Sequence, residues 1–402
     1  MEAFRRLTYR RRAIAGVAIE RVKRAIWRAP RRERSAWRRW ASLVWSAATA
    51  CARAVTPVAS PVTRRRALIR VRAASVNPVD VTHLYGDKVC ERVAGAVRRA
   101  VEGRGVGFDF SGTVVAVEDG SEFAVGASVF GMVSPGDGGA IGEYVRVYED
   151  MVAEKPTGMS FREAAALPLC ATTICQALDT FHTKISPSPA LVIGASGGLG
   201  HLACQICKAE GAVVVGVCSM ANLDFVRALG VDLCVPYDDP HASLEDHLER
   251  AGYKNGFKFI LDTVTSNASG DARFEYARRL QSFAVPDDCR YIKFGGRPEQ
   301  WAYAHIKRLG IPLPWSNFDS RAPPFWIYFF KVERQLRYIC ELYERGALKP
   351  IVARHFPFTD DGARDAVTAV RSRHVAGKVI IDIVDDPEST ADDAPRSMIE
   401  FQ

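Results

Sequence analysis

Apolar and polar residues alternate in short segments over residues 66–155. The segments read ALIRVRAASV, GFDFSGTVVAVE, ASVFGMVS and GEYVRV, and glycine-containing turns separate them. Alternation with a period of two is typical of strands with one buried face. This part of the chain is therefore predicted to be β-rich, with a turn at NPVD after the first strand.

A different pattern begins near residue 156. The segment MSFREAAALPLCATTICQALDTF is predicted to be helical, and the apolar strands ALVIG, AVVVGVC, LCVPY, FKFILDTV and RYIKFGG follow, with helical segments between the first three. Strands that alternate with helices indicate a doubly wound parallel sheet. The last part of the chain adds a helix and turn (ERQLRYICELYERGALKPIV), a second helix (DDGARDAVTAVRSR) and a closing strand (GKVIIDIV). The predicted fold class is α/β.

The charge of the chain is divided unevenly between its first 66 residues and the rest. Residues 1–66 contain 18 Lys and Arg and 3 acids, a net charge of +15, whereas residues 67–402 contain 36 basic and 43 acidic residues, a net charge of −7. Residues 1–65 also carry two amphipathic helical stripes, and residues 386–402 form an acidic tail. Since the globular part is acidic, the overall charge does not predict nucleic-acid binding.

The basic arm at residues 1–65 has two interpretations. An Arg-rich, acid-poor, amphipathic segment is typical of a mitochondrial transit segment. The alternative is an arm that stays attached and contacts a partner or an anionic membrane surface. The ten cysteines lie mostly in apolar runs such as PLCATTIC, which indicates buried thiols in a reducing compartment.

Residues 191–200, LVIGASGGLG, contain the most informative motif. A strand leads into a glycine turn and then a helix, and a second strand follows. Glycines let the backbone approach a diphosphate, and the helix N-terminus offers free N–H groups to it. We therefore expect a dinucleotide cofactor, the alternative being a glycine turn without a ligand.

The end of the second strand, VVVGVCSMAN, decides between NADH and NADPH. NAD-binding chains usually have an acid there that holds the ribose 2′-OH. This chain has no acid before Asp224, and neither Ser219 nor Asn222 would repel a 2′-phosphate. NADPH is therefore predicted, with Lys208 and Arg227 as the nearest basic residues in the sequence.

Six motifs in this order and spacing give the chain a resemblance to a known family. They are AASVNPVD (73–80), GFDFSGTV (107–114), GEYVRV (142–147), AAALPLCATTICQAL (164–178), GASGGLG (194–200) and GKVII (377–381). The chain resembles the zinc-free quinone oxidoreductase branch of the medium-chain dehydrogenase/reductase superfamily. Its endings GALKPIVARHFPF and AGKVIIDIV look most like the mitochondrial reticulon-interacting oxidoreductases.

The resemblance implies a GroES-like domain at 66–155, a Rossmann domain that binds NADP at 156–335 and a return to the first domain at 336–385. It also implies the site residues. The catalytic ones are Asn77, Asp80 and Thr173; the cofactor-binding ones are Gly194, Ser196, Gly197, Gly198, Leu199, Gly200, Ser219, Asn222, Tyr237, Asp262 and Lys378.

The resemblance also bears on zinc. Zinc-dependent relatives have a Cys ligand near the first motif and a His-Glu pair after the glycine of the second. Here those positions read SVNPVD and GFDF, so no catalytic zinc site is expected. The expected reaction is hydride transfer from NADPH to a quinone or an α,β-unsaturated carbonyl compound.

Three departures from the family keep a second function open. The strand hairpin expected before ALIRV is missing, Thr82 stands where some quinone reductases have a Tyr, and residues 85–108 are divergent and basic. The alternative is an accessory, non-catalytic subunit of a mitochondrial assembly that keeps the reductase fold. The aromatic segment 301–330 would then serve, with the basic arm, as a homodimer or complex interface; in the enzyme it would line the substrate pocket. Both readings place the protein in the mitochondrial matrix or at the inner membrane.

Overall fold

A computed structural model of the chain describes residues 64–85, 106–134, 139–180, 187–264, 275–286, 288–295, 325, 327 and 332–384. All of them lie in the unit Thr63–Gln402. Nearly all of the predicted arm, most of the divergent segment 85–108, most of the aromatic segment 301–330 and the acidic tail lie outside the described residues. The side chain of Thr82 is not described either.

The first sheet has seven strands and combines the two ends of the described chain. The strands are β1 Arg66–Val76, β2 Asp109–Val117, β3 Ser128–Met132, β4 Tyr144–Tyr148, β5 Val152–Glu154, β11 Val352–Pro357 and β12 Lys378–Asp382. Their order is β11-β12-β1-β2-β3-β5, with β4 paired to β1. All pairs are antiparallel except β11 with β12. The strands predicted at 66–155 are thereby confirmed.

The second sheet has five parallel strands in the order β10-β9-β6-β7-β8. They are β6 Pro189–Ile193, β7 Val213–Cys218, β8 Leu233–Pro236, β9 Phe259–Asp262 and β10 Arg290–Lys293. The chain proceeds from β6 to β7 and β8 on one side, then crosses to β9 and β10 on the other. Such a sheet has its topological switch point at the carboxyl end of β6, which is where ligands of doubly wound folds bind. The glycine motif lies immediately after β6.

Helices cover these sheets and connect their strands. They are α1 Pro78–Tyr85, α2 Phe161–Ala165, α3 Pro168–Thr180, α4 Gly200–Ala209, α5 Leu223–Ala228, α6 Leu244–Arg250, α7 Tyr276–Arg279, α8 Glu333–Glu344 and α9 Asp360–Ser372. In the described part of the chain, no helix has the length and apolar composition that crossing a bilayer requires.

Three local predictions were wrong. NPVD is not a turn alone but starts α1, because Pro78 fits the first helical position and Asp80 accepts a hydrogen bond from the backbone N–H of Asn77. The helix predicted over 159–181 is interrupted before Pro168, which begins α3. Strand β11 was missed because it is an edge strand with mostly exposed side chains, so its sequence does not alternate.

The closing strand β12 lies in the middle of the first sheet. It pairs with β1 in antiparallel register from Ala73 opposite Asp382 to Val76 opposite Val379. Ile380 is fully buried and packs with Phe161 of α2 and with Ala73. Residues from the two ends of the described chain therefore share one apolar cluster.

We expect Ile380→Ala to reduce the free energy of unfolding by about 2–5 kcal/mol, because it leaves a cavity between β12 and α2. Val125→Ala is the matched control, since Val125 is 52% exposed and its truncation should change stability by less than about 0.5 kcal/mol. Urea titration of the full chain measures both. Equal effects of the two substitutions would contradict the assignment of β12 to the core.

Candidate active site

The glycine turn after β6 is folded so tightly that two positions exclude a side chain. Gly194 has φ +78°, and a Cβ there would lie 2.5 Å from Thr263 Oγ1 and 2.6 Å from Val264 Cγ2. A Cβ on Gly200 would lie 2.0 Å from the carbonyl oxygen of Gly194. These contacts bring the start of α4 against the end of β6, which leaves the helix N-terminus facing the switch point of the sheet.

The start of α4 is suited to bind a diphosphate. Leu199 precedes the helix and provides no side-chain cap, so the N–H groups of the first turn are not capped by a side chain. The turn also contacts the closing strand: the N–H of Gly377 donates to the carbonyl of Ser196 at 2.9 Å. A Cβ on Gly198 would lie 3.1 Å from Lys378 Cδ, so the glycine provides room for the aliphatic part of that lysine.

A buried histidine fixes the turn from its other side. His201 Nε2 accepts a hydrogen bond from the N–H of Ile351 at 3.2 Å, so its proton is on Nδ1, which donates to the carbonyl of Gly197 at 3.0 Å. Burial lowers the pKa of His201 to about 4, so the ring is neutral at physiological pH. One turn later, Gln205 bonds to both backbone groups of Lys349. The cofactor loop is therefore tied to the segment that precedes β11.

Three predicted nucleotide residues meet at the end of β7. Asn222 Nδ2 donates to Ser219 Oγ at 3.0 Å and to Ser196 Oγ at 3.3 Å. Tyr237, at the end of the adjacent β8, is 48% exposed. Ser219, Asn222 and Ser196 thus form one polar surface beside the glycine turn.

The two basic residues near this surface are already engaged. Lys208 contacts Asp232 at 2.9 Å, and Arg227 contacts Asp224 at 2.7 Å. Arg227 therefore does not reach back to Ser219 in this structure. Burial raises the pKa of the Cys218 thiol at the end of β7, and the charge of Arg227 opposes this rise, so Arg227 still contributes positive charge to this end of the sheet.

A buried polar cluster lies at the junction of β1, β2, α3 and β12. Asn77 Nδ2 donates to Asp109 Oδ2 at 2.9 Å and to Ser75 Oγ at 3.3 Å, and Lys378 Nζ donates to Asn77 Oδ1 at 2.5 Å. The same ammonium lies 3.5 Å from Asp109 Oδ2 and 3.4 Å from Cys170 Sγ. All five residues are buried. Lys378 was predicted to face the cofactor, but its charged end points into this cluster.

The cluster contains two carboxyl groups and one lysine. Burial raises the pKa of Asp80 to about 7, and the nearby Asp109 carboxylate adds to the rise, whereas the hydrogen bond from Asn77 and the charge of Lys378 oppose it. Asp80 Oδ1 is buried and lacks a hydrogen-bond partner among the described residues. Because Lys378 balances only one negative charge, Asp80 holds its proton up to neutral pH.

Two further predicted site residues have different surroundings. Thr173 is 8% exposed and donates its hydroxyl hydrogen to the carbonyl of Leu169 at 2.6 Å, which leaves its oxygen as an acceptor. Asp262 is fully buried; it accepts hydrogen bonds from the N–H of Val264 and from the hydroxyl of Tyr291. Through these two hydrogen bonds, the buried Asp262 side chain fixes the backbone at the end of β9.

Sequence reasoning missed three residues of the site. The motif that contains Asp109 was used only to argue that zinc ligands are missing. A carboxylate inside the apolar strand GFDFSGTVV is itself a signal of a buried charge that needs a partner. Cys170 was interpreted only as a buried thiol, and burial does raise its pKa. His201 follows the glycine motif directly, but nothing in the sequence shows which backbone groups it contacts.

The residues present do not fit a catalytic zinc ion. At the motif positions where the resemblance implies ligands in zinc-dependent relatives, this chain has Asn77 and the pair Phe108 and Asp109. The Lys378 ammonium contacts Asn77 and Asp109. A bound cation would be repelled by that ammonium. Among the residues that the structure describes, no group of three or more His, Cys, Asp or Glu could hold a metal ion.

We expect Lys378→Met to destabilise the protein by about 3–5 kcal/mol, because it leaves the Asp109 carboxylate buried without a cation. Burial raises the pKa of Asp80 and the charge of Lys378 opposes this rise, so the folded variant should hold the Asp80 proton to a higher pH than the wild type does. The loss should therefore grow as the pH rises above neutrality, which thermal melts at several pH values measure.

Two controls accompany Lys378→Met. The double substitution Lys378→Met with Asp109→Asn should recover much of the loss and remove its pH dependence. Arg334→Met breaks the exposed pair with Asp179 and should cost less than about 1 kcal/mol. A pH-independent loss in Lys378→Met would refute the buried ion pair.

Asp80→Asn should raise thermal stability more at high pH than at low pH. The folded wild type keeps a proton on Asp80 that the unfolded chain releases between pH 3.8 and about 7, so the wild type loses stability as the pH rises through this interval. The amide introduced by the substitution cannot ionise, and His201 is the same in both proteins. The difference in melting temperature between variant and wild type should grow from about pH 5 to about pH 8; a constant difference would contradict the raised pKa.

Family models match both parts of the fold. A model described as alcohol dehydrogenase GroES-like domain matches residues 63–157, and one described as zinc-binding dehydrogenase matches residues 229–381. Among solved structures, the quinone oxidoreductase from Coxiella burnetii is similar with a TM-score of 0.60 and 24% identity, over 79% of this chain and 90% of that one. This likeness shows that the two chains share a fold.

Sequence comparison identifies the family. The chain is 30% identical over 336 residues to the NAD(P)H oxidoreductase RTN4IP1, mitochondrial, of Mus musculus, which covers 79% of this chain and 81% of that protein. It is 32% identical over 344 residues to the trans-enoyl reductase phm4 of Pyrenochaetopsis sp., covering 78% and 88%. With both domains, the glycine turn and the motif order in agreement, the chain belongs to the medium-chain dehydrogenase/reductase superfamily, in its quinone oxidoreductase branch.

Proposed function

We propose that the chain is an NAD(P)H-dependent reductase that transfers a hydride to quinones or α,β-unsaturated carbonyl compounds without zinc. The observation that carries the proposal is that the side chain of Lys378 runs from the glycine turn to the buried polar cluster. Its aliphatic part packs on the glycine turn at Gly198, and its ammonium contacts Asn77 and Asp109. The loop suited to a diphosphate and the buried polar cluster are thus two parts of one site.

The bound nicotinamide would supply the hydride, and the residues of the chain would hold and orient it. The uncapped first turn of α4 would bind the diphosphate, and the Thr173 oxygen would accept a hydrogen bond from the carboxamide. Asn77 uses both hydrogens of its amide on Asp109 and Ser75. We therefore assign Asn77 to fixing the floor of the site and not to donating a hydrogen bond to the substrate oxygen.

Reduction of a quinone or an enone consumes one hydride and one proton. Asp80 lies next to Asn77 and titrates near neutral pH. We propose that Asp80 holds the proton that compensates the negative charge left on the substrate oxygen after hydride transfer. The zinc-free mechanism is supported by the Lys378 ammonium, whose positive charge beside Asn77 and Asp109 would repel a metal cation.

The preference for NADPH over NADH depends on the end of β7. Ser219 and Asn222 support NADPH, as predicted from the sequence, because neither would repel a 2′-phosphate. Lys208 and Arg227 each form an ion pair with an aspartate, so neither adds support for NADPH by offering an unpaired positive charge. The nicotinamide cofactor itself is supported by the glycine turn and by the NAD(P)H oxidoreductase relative.

A mitochondrial location is part of the proposal. It is supported by the Arg-rich, acid-poor composition of residues 1–65 and by the mitochondrial relative in Mus musculus. The small-molecule substrate class is supported by the trans-enoyl reductase relative, since an enoyl group is an activated carbon–carbon double bond.

Activity of the full chain with each nicotinamide nucleotide, a short-chain quinone and a simple enone tests the function. We expect the reduced nucleotide to be oxidised only when an acceptor is present. The decrease in the near-ultraviolet absorbance of the reduced nucleotide measures this oxidation. Nucleotide binding measured by fluorescence without any turnover would contradict a reductase and favour the non-catalytic subunit.

Thr173→Val should lower kcat/KM about five- to tenfold, because it removes one hydrogen bond to the nicotinamide. Thr172→Val is the matched control: Thr172 is the adjacent residue, is fully buried, and its hydroxyl has no partner among the described residues. The control should keep wild-type activity and equal or higher stability. Equal losses of activity in the two variants would contradict the assignment of Thr173.

A further inference from the structure

An acid that is distant in sequence lies at the end of β7. Asp238 follows Tyr237 after β8, and its Oδ1 accepts a hydrogen bond from the backbone N–H of Met220 at 2.7 Å. Met220 is the residue directly after Ser219. In dinucleotide-binding folds, an acid at the end of the second strand holds the ribose 2′-OH. This chain places a carboxylate at that end from the neighbouring strand.

The hydrogen-bond donors at the end of β7 are largely used. Asn222 donates both hydrogens of its amide, one to Ser219 Oγ and one to Ser196 Oγ. The N–H of Met220, a backbone donor that could serve an anion, donates to Asp238. Among the described side chains here, the hydroxyl groups of Ser219, Ser196 and Tyr237 remain to contact a 2′-phosphate, and none of them brings a positive charge.

The local charge is negative. Arg227 and Asp224 form one ion pair, and Lys208 and Asp232 form another. No ion pair of Asp238 is found within the described part of the chain. Its charge is felt nearby: after burial, the Asp238 carboxylate is the largest contribution that raises the pKa of the Tyr237 hydroxyl. A dianionic 2′-phosphate at this place would meet the Asp238 carboxylate, and the charge of Arg227, which also reaches the end of β7, is already paired with Asp224.

We propose that Asp238 sets the nucleotide preference of this chain, by accepting a hydrogen bond from the ribose 2′-OH of NADH and repelling the 2′-phosphate of NADPH. The inference rests on the proposed nicotinamide cofactor. It reverses the preference that the sequence predicted from Ser219 and Asn222, because that prediction considered only acids close to β7 in the sequence.

Equilibrium binding of NADH and NADPH to the full chain tests this without any need for turnover. The wild type should bind NADH more tightly than NADPH. Asp238→Asn retains an acceptor for the Met220 N–H and removes the charge, so NADPH affinity should rise about tenfold while NADH affinity changes little or falls. Asp238→Ser, which frees the same N–H, should shift the ratio in the same direction.

Asp239→Asn is the matched control. Asp239 is the next residue, but its carboxylate contacts His247 at 2.8 Å and the N–H of His241. Loss of this charge should change the NADPH-to-NADH affinity ratio by less than about twofold, because the Asp239 carboxylate is engaged by His247 and His241 and charges beyond the first contact are screened. Higher salt should reduce the discrimination of the wild type more than that of Asp238→Asn.

The outcomes separate this inference from the proposed function. An affinity ratio that is unchanged in both Asp238 variants would overturn the role of Asp238 and leave the reductase proposal intact. Absence of binding of both nucleotides to the folded wild type would overturn the two together. A tenfold shift confined to the Asp238 variants supports the assignment.

Discussion

The buried ammonium of Lys378 connects the two sheets of this protein at the place where its chemistry is expected. Its stem packs against Gly198 in the cofactor turn, and its charge contacts Asp109 and Asn77 below the first sheet. Removing a charge from water is costly, so the Lys378 ammonium stays buried only while Asp109 and Asn77 contact it. Because β12 carries Lys378 into the centre of the first sheet, the position of the cofactor turn depends on the last strand among the described residues.

The site is held by neutral contacts as well as by this charge. His201 links the carbonyl of Gly197 to the N–H of Ile351; burial lowers its pKa and keeps the ring neutral, and these two partners fix the proton on Nδ1. The turn is therefore fixed on one side by a lysine and on the other by an uncharged imidazole. Rigid support of this kind favours catalysis, since a preorganised site need not rearrange when the reaction begins.

Much of the fold could be predicted from the sequence, because its signals are local. Alternation of strands and helices and the spacing of Gly194–Gly200 are visible within short windows. The polar cluster could not be predicted in the same way, since Asn77, Asp109, Cys170 and Lys378 come from four separate segments. For Lys378, the sequence located the residue at the site but could not show that its charge turns inward. Strand β11 was missed because an exposed edge strand lacks an apolar face.

The same limit explains the nucleotide site. The sequence rule for nucleotide preference looks for an acid directly after the second strand of a Rossmann fold. In the folded sheet, the residues that follow the third strand also lie beside the end of the second strand. Strands β7 and β8 are parallel and paired from Val215 with Leu233 to Cys218 with Pro236, so their carboxyl ends lie side by side. A carboxylate two residues beyond Pro236 therefore reaches the backbone after Ser219 as readily as a residue on β7 itself. Nucleotide preference in such folds is a property of the sheet edge, and the residues that determine it have to be sought on both strands that form it.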